Sequence, residues 1–158
     1  MNQIADAAVL ELLRSGYAPL KIELSDEQEQ SLLAYIKLFV KWNRAYNLSA
    51  IRDWQGIVQL HILDSLTIVP YITGKHIIDV GTGGGLPGIV LAILFPARHF
   101  TLLDSAGKKM RFLRQVVQEL SLKNVEIENC RVEAFTPVKL FDGVVSRAFA
   151  SLQKICRF

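Results

Sequence analysis

Cysteine is scarce in this chain, and the sequence signals of secreted and membrane proteins are missing. Only Cys130 and Cys156 occur among 158 residues, and they form neither a disulfide framework nor a metal-binding pattern. The longest apolar run, residues 86–97, is too short to span a bilayer. The first residues lack the basic segment of a signal peptide. We therefore expect no metal site, no membrane partner and a reducing, cytoplasmic location.

Internal repeats and low-complexity segments are also missing, and the remaining composition is that of an ordered globular chain. Hydrophobic residues make up 51% and charged residues 21% of the sequence. A chain of this length and composition can bury a substantial core. Its net charge of +3 is compatible with an RNA partner, although such a charge does not establish one.

The stretch from residue 76 to residue 88 organises the rest of the chain. It begins with a β-branched run that predicts a short buried strand, and four closely spaced glycines follow. The apolar residues 86–95, with Pro87 in the first turn, predict a helix. A strand, a glycine turn and a helix let a nucleotide-like ligand approach the backbone at the helix N-terminus. Positive φ or close approach is expected at three glycines: Gly81, Gly83 and Gly85.

Two nucleotide-binding patterns overlap in this stretch. The spacing Gly83-x-Gly85-x-x-Gly88 is the dinucleotide pattern, whereas Asp79-x-Gly81-x-Gly83-x-Gly85 is typical of S-adenosylmethionine-dependent methyltransferases. Both patterns require an acidic residue roughly 20 positions later that accepts hydrogen bonds from ribose hydroxyls. Asp104, at the end of a second strand-like run, meets this requirement. The stretch favours the methyltransferase, with an NAD-dependent oxidoreductase as the alternative.

The first 74 residues predict a helical subdomain. A short helix is expected within residues 1–20, and a further apolar helix over residues 55–69. Between them, Ser25 and Gln28 have the spacing of a capping box, which opens a helix that extends to about Asn47. Asn43 and Asn47 near the end of this helix either satisfy local backbone groups or line a cleft.

From residue 75 to residue 158 the pattern alternates between strands and helices. Strands are predicted at residues 76–80, 99–104, 125–128 and 141–147, and helices at 86–95 and 106–120. Alternation of this kind predicts a parallel sheet with ligands at the carboxyl ends of its strands. The second helix carries several cations that form either a solvated face or a phosphate-contacting face. The expected ligand edge collects Gly81, Gly83, Asp104, Arg147 and the loop over residues 131–134.

Several stretches together resemble the bacterial small-subunit ribosomal RNA guanine-N7 methyltransferases, also called the glucose-inhibited division protein B family. The resemblance covers about residues 25–152. Its most specific features are Leu86-Pro87-Gly88 directly after the glycines and Ser-Arg-Ala-Phe-Ala at the fourth strand. The stretches that carry it are residues 41–48, 61–65, 79–88, 103–105, 111–114 and 146–150.

The resemblance implies a Rossmann-like α/β methyltransferase fold with an N-terminal helical subdomain, and S-adenosylmethionine as cofactor. The expected reaction is methylation of N7 of a guanine in small-subunit ribosomal RNA, free or within the ribosomal subunit. Asn47, His61 and Arg147 are expected near the substrate, and no general base is assigned. The glycine pattern and the acidic residue that follows it add Gly83 and Asp104 as expected cofactor contacts. The cofactor contacts that the resemblance implies are Gly81, Leu86, Val132, Glu133 and Arg147.

The sequence departs from this family after its fourth strand. Family members continue with three further strands, which residues up to Phe158 do not supply. The fourth strand is then expected to be an apolar sheet edge, which is a template for pairing with another chain. We therefore expect self-association through this edge. The alternative to an active enzyme is an RNA- or partner-binding fragment without catalytic activity.

Overall fold

The computed structural model describes residues 5–147, and helices form the first half of this range. Helix α1 spans Asp6–Tyr17 and continues into a 3-10 segment at Ala18–Leu20, while α2 spans Asp26–Tyr46. The predicted helix over residues 55–69 is confirmed as helical, but its middle is a π-helix. It consists of α3 at Trp54–Ile57, the π-helix at Val58–Leu63, α4 at Asp64–Leu66 and a 3-10 segment at Val69–Tyr71.

The capping box of α2 is confirmed. The Ser25 hydroxyl accepts a hydrogen bond from the Gln28 amide at 3.2 Å, and the Gln28 side chain accepts one from the Ser25 amide at 2.9 Å. The Gln28 side-chain amide also donates to the Leu94 carbonyl. The cap therefore fixes both the start of α2 and its contact with the α/β part of the chain.

Four parallel strands form one sheet in the order β3-β2-β1-β4. The strands are β1 at His76–Val80, β2 at His99–Leu103, β3 at Val125–Glu128 and β4 at Gly143–Val145. Helix α5 at Gly88–Leu94 connects β1 to β2, and α6 at Gly107–Glu119 connects β2 to β3. The predicted parallel sheet is confirmed. Two predicted bounds were wrong: β4 is shorter than residues 141–147, and α5 begins at Gly88 rather than near Leu86.

The two faces of the sheet are covered differently. On one face, Ile77, Phe100 and Leu102 belong to a large buried core that also includes side chains of α1, α2, α5 and α6. On the other face, Ile78, Val80 and Leu103 form a small cluster. That cluster is covered by side chains of the segment after β3, namely Cys130, Val132, Phe135 and Phe141.

The helices of residues 1–74 and the sheet share one hydrophobic core. A division into two parts after residue 74 therefore remains a proposal about how the chain is organised. Within residues 5–147, no helix has both the length and the apolar character needed to cross a membrane. The expectations for Ala148, Phe149, Ala150 and Cys156 fall outside the described residues.

Candidate functional site

The loop between β1 and α5 requires glycine at several positions. Gly81, Gly83 and Gly85 have φ of 72°, 60° and 92°, as the sequence predicts. A Cβ on Gly83 would meet the Lys109 ammonium at 3.8 Å and the Gly81 carbonyl oxygen at 3.9 Å, both ordinary contact distances, so there is room for a methyl group beside this glycine. A Cβ on Gly84 would stand 2.5 Å from the Phe39 ring. The loop thus combines left-handed backbone with close packing on α2, and Gly83 leaves a cradle that a side chain would fill.

Asp79 holds this loop from beneath. Its carboxyl group is fully buried, and one oxygen accepts hydrogen bonds from the Thr82 hydroxyl at 2.7 Å and the Gly88 amide at 2.9 Å. The other oxygen, Oδ1, has no hydrogen-bond partner within residues 5–147. Burial raises the pKa of Asp79 to about 6. The Gly88 amide is therefore occupied by this carboxylate, and Gly81 and Gly83 are the partly exposed glycines of the loop before it. The approach of a ligand to the backbone at this end of α5 stays a prediction.

Helix α2 supports the loop from the other side. The buried Tyr35 hydroxyl donates to the Gly84 carbonyl at 2.6 Å. The Tyr35 ring lies edge-on to Phe39, with ring centroids 6.0 Å apart, and stacks on Phe112 at 6.3 Å. The loop is therefore fixed by a helix that lies far from it in sequence.

A first cavity of about 160 Å³ lies at the carboxyl ends of β1 and β2. Asp104 lines it, and its carboxylate accepts hydrogen bonds from the Gly83 and Ala106 amides, each at 2.9 Å. Each carboxylate oxygen retains a further lone pair. The structure thus brings four predicted residues to one cavity, namely Gly81, Asp104, Val132 and Glu133.

A second cavity of about 410 Å³ lies on the other side of the glycine loop. Gly81 lines both cavities, so the two adjoin at this residue. Five predicted residues line the second cavity, namely Gly81, Gly83, Leu86, His61 and Arg147. Six further lining residues were not in the predicted site: Phe39, Leu48, Ser49, Thr82, Gly84 and Lys109.

His61 connects the helical part of the chain to the end of β4. Its Nε2 lies 2.7 Å from the Ser49 hydroxyl, and its Nδ1 lies 3.2 Å from Nη1 of Arg147. The same Arg147 nitrogen donates to the Leu60 carbonyl at 3.0 Å and lies 3.4 Å from an Asp64 carboxylate oxygen. Burial, and then the Arg147 charge, lower the pKa of His61, so its ring is neutral at neutral pH.

Asn47 lies outside the residues that line either cavity. It ends α2 with φ of 52°, and its side chain accepts a hydrogen bond from Arg52 at 2.8 Å. Asn43 is buried and bonds the backbone of Ile51 and Ser49, at 2.6 and 2.7 Å. Asn43 therefore fills the backbone-satisfying role that the sequence allowed. The nearness of Asn47 to a substrate remains a prediction.

The residues missed by sequence reasoning have a common feature. Phe39 on α2 and Ser49 just after it reach the second cavity because α2 packs on α5 and α6. No local spacing in the sequence indicates this contact. Lys109 was visible as one of the cations on the second predicted helix. Its position three residues into α6, directly after β2, was the available signal that it faces the ligand edge.

The parallel sheet, the glycine loop at its carboxyl edge and the helices before it define an α/β fold of the S-adenosylmethionine-dependent methyltransferase type. A similar solved structure is that of coclaurine N-methyltransferase bound to N-methylheliamine and SAH. It aligns with a TM-score of 0.52 at 15% identity, over 90% of this chain and 51% of that chain. This likeness supports the fold alone.

The sequence comparisons identify the family. A family model described as rRNA small subunit methyltransferase G, GidB, matches residues 28–158. The chain therefore belongs to this family, as the resemblance had implied.

Similar curated relatives are named ribosomal RNA small subunit methyltransferase G. The one from Saccharophagus degradans is 63% identical over 140 residues, which are 89% of this chain and 63% of the relative. The one from Stutzerimonas stutzeri is 52% identical over 155 residues, which are 97% of this chain and 72% of the relative. The chain thus spans about two thirds of the length of these relatives.

Proposed function

We propose that this chain binds S-adenosylmethionine across the two adjoining cavities and that its activity is methylation of N7 of a guanine in small-subunit ribosomal RNA. The family to which the chain belongs supports the reaction. The observation that carries the site is the glycine loop, because Gly81 borders both cavities and Gly83 leaves an open cradle between cationic and anionic groups.

The residues of the two cavities fit the two halves of the cofactor. Asp104 in the first cavity has lone pairs available for ribose hydroxyls, and Val132 and Glu133, which line the same cavity, would contact the adenine base. Lys109 and Arg147 in the second cavity are cations suited to the carboxylate of the methionine moiety. The predicted contacts at Gly83 and Leu86 belong to this second half.

When bound, S-adenosylmethionine supplies a sulfonium methyl group that an unprotonated nitrogen can attack. Guanine N7 already holds a lone pair at neutral pH, so the protein need not remove a proton. The task of the chain is alignment and proximity. His61 suits a position beside the target base, because it is neutral and held by Ser49 and Arg147.

The proposed substrate implies the partners and the location. A ribosomal RNA substrate, free or within the small subunit, implies a cytoplasmic protein. The target base must be exposed or unstacked for N7 to reach the methyl group, which favours a single-stranded segment or a loop.

Calorimetric titration of the 158-residue chain tests the cofactor assignment, with NAD as the control ligand. We expect micromolar binding of S-adenosylmethionine and no binding of NAD. Asp104→Asn should weaken binding, because an amide offers ribose hydroxyls fewer acceptor sites than a carboxylate. Binding of NAD alone would support the oxidoreductase instead. Binding of neither ligand would contradict a formed cofactor site, whereas cofactor binding without methylation of 30S subunits would indicate a binding fragment.

A further inference from the structure

Helix α6 begins with positive charges where a helix least favours them. Lys108, Lys109 and Arg111 lie in its first turns, where the helix macrodipole is positive. The first turn contains no acidic residue, and Ala106 provides no side-chain cap. These cations therefore lower the stability of the helix. Residues that oppose the local structural preference are expected at functional sites.

The charges on α6 are also left unneutralised. The sequence contains no Asp or Glu from Ser105 to Gln118. None of the α6 cations takes part in a salt bridge within the part of the chain that the structure describes. Lys108 and Arg111 are exposed, whereas Lys109 is partly buried and lines the second cavity. The positive surface is thus continuous with that cavity and available to an anionic ligand.

A pair of stacked aromatic rings lies beside these charges. Trp42 and Tyr46, one turn apart on α2, stack with centroids 4.9 Å apart at 26°. Trp42 also packs on Phe112 of α6, at 5.7 Å. Lys108 lies one turn before Phe112 on the same side of α6. Tyr46 is 37% exposed, so part of this stack faces solvent.

The aromatic pair also adjoins the second cavity. Helix α2 ends at Tyr46, and the chain then passes directly to Leu48 and Ser49, which line that cavity. Lys109 lines the same cavity from the α6 side. The end of α2 and the start of α6 therefore flank the entrance through which a target base would pass.

We propose that Trp42, Tyr46, Lys108, Lys109 and Arg111 form a docking surface for single-stranded RNA at this entrance. The proposal rests on the RNA substrate proposed above and adds how that substrate is held. Phosphates lie along the α6 cations, and a base beside the target stacks on the exposed part of Tyr46. Cations interleaved with an aromatic platform are the means by which proteins hold single-stranded nucleic acid.

The test measures how RNA affinity depends on salt. Fluorescence anisotropy follows binding of a labelled single-stranded RNA of about twelve nucleotides, within the usual site size, over a series of salt concentrations. For Lys108→Ala with Arg111→Ala we expect the slope of log affinity against log salt to become shallower by roughly 0.7 for each phosphate that the protein no longer neutralises. For Tyr46→Ala we expect roughly 5- to 150-fold weaker binding with the slope unchanged, because stacking releases no counterions.

Matched controls come from elsewhere on the surface. Tyr71→Ala removes an aromatic ring that is 80% exposed, and Lys123→Ala removes an exposed cation beyond the end of α6. Both controls should bind RNA like the unaltered chain. Equally weakened binding in the controls, an unchanged slope in the double variant, or no RNA binding by the unaltered chain at low salt would each overturn the proposal.

Cofactor titration of the same variants separates the two proposals. The docking variants should bind S-adenosylmethionine like the unaltered chain, because Trp42, Tyr46, Lys108 and Arg111 lie outside both cavity linings. Loss of cofactor binding in Tyr46→Ala would indicate a folding defect and overturn the assigned role. If RNA binding shows the expected salt dependence but the unaltered chain does not bind S-adenosylmethionine, the docking surface is supported and the proposed function is contradicted.

Discussion

At the scale of single residues, Asp79 makes the stability of the protein depend on pH. Its pKa is raised from 3.8 to about 6, so the folded protein takes up a proton that the unfolded chain has lost. The contribution of Asp79 to the free energy of unfolding is fully present below pH 3.8 and is lost as the pH rises through about 6. The Asp79→Asn variant carries no ionisable group at this position, so its free energy of unfolding does not fall between pH 3.8 and about 6. Across this pH range the variant should therefore gain about 3 kcal/mol in free energy of unfolding relative to the unaltered protein.

Thermal unfolding at pH 2, 3, 4, 5, 6 and 7 measures this difference and also covers the range below pH 3.8 in which the control responds. Asp142→Asn provides a control of opposite sign, because the amides of Lys75 and His76 lower the pKa of Asp142. The stabilising contribution of Asp142 is present above its ordinary pKa and is lost on acidification through the lowered value. Parallel pH profiles for Asp79→Asn and the unaltered protein would contradict a buried, proton-binding Asp79.

Gly83 gives a second prediction at this scale. Alanine at this position must adopt φ near 60° and place a methyl group in the cradle between the cavities. We expect Gly83→Ala to weaken S-adenosylmethionine binding and to lower stability by about 1–2 kcal/mol. Calorimetric titration and thermal unfolding measure the two effects.

Gly107→Ala is the matched control for this substitution. Gly107 lies in the first turn of α6, and a Cβ there would approach only Asn129, at 3.9 Å. Alanine also favours helix by up to about 1 kcal/mol over glycine. Gly107→Ala should therefore bind cofactor normally, and equally weakened binding in both variants would contradict a special role for Gly83.

At the scale of elements, α2 is the support of the glycine loop. Tyr35→Phe removes the hydroxyl that bonds Gly84 and leaves a buried carbonyl without its partner. We expect a stability loss of about 1–3 kcal/mol together with weaker cofactor binding. Tyr71→Phe, at an exposed ring, should change neither quantity. Normal cofactor affinity in Tyr35→Phe would mean that the loop keeps its shape without α2.

The elements also show which structural features sequence can predict. Helix α2 was predicted closely because its cap, Ser25 with Gln28, and its apolar stripe are both local signals. The late start of α5 was not predicted, because it depends on the hydrogen bond between the Gly88 amide and the Asp79 carboxylate of β1, which no local pattern indicates. The π-helix at Val58–Leu63 lies within a continuous apolar helical pattern, and that pattern does not distinguish a π-helix from an α-helix.

The same distinction applies to the site. Gly81, Gly83 and Asp104 could be placed together because carboxyl ends of parallel strands share one edge. Val132 and Glu133 were named from the family resemblance, and the structure brings them to the first cavity. Ser49 and Phe39 could not be found, since their positions depend on the packing of helices over the sheet.

At the scale of the whole molecule, the sheet has two edge strands among the described residues, β3 and β4, and β4 is the one at which we expect further pairing. Within residues 5–147 it pairs only with β1, and Val144 on it is 56% exposed. We propose that copies of the chain associate through this edge. Light scattering should detect species larger than a monomer at micromolar concentration, and Val144→Lys should reduce them. A monomeric unaltered chain would contradict this proposal.

The length of α2 has one further consequence. Tyr35 bonds the glycine loop and Tyr46 belongs to the proposed docking surface, and eleven residues separate them on one helix, roughly 16 Å. If docked RNA shifts or stiffens this helix, it changes the free energy of the loop that receives the cofactor. Thermodynamic reciprocity then requires each ligand to alter the affinity of the other by the same factor. The helix would make RNA and cofactor allosteric effectors of one another.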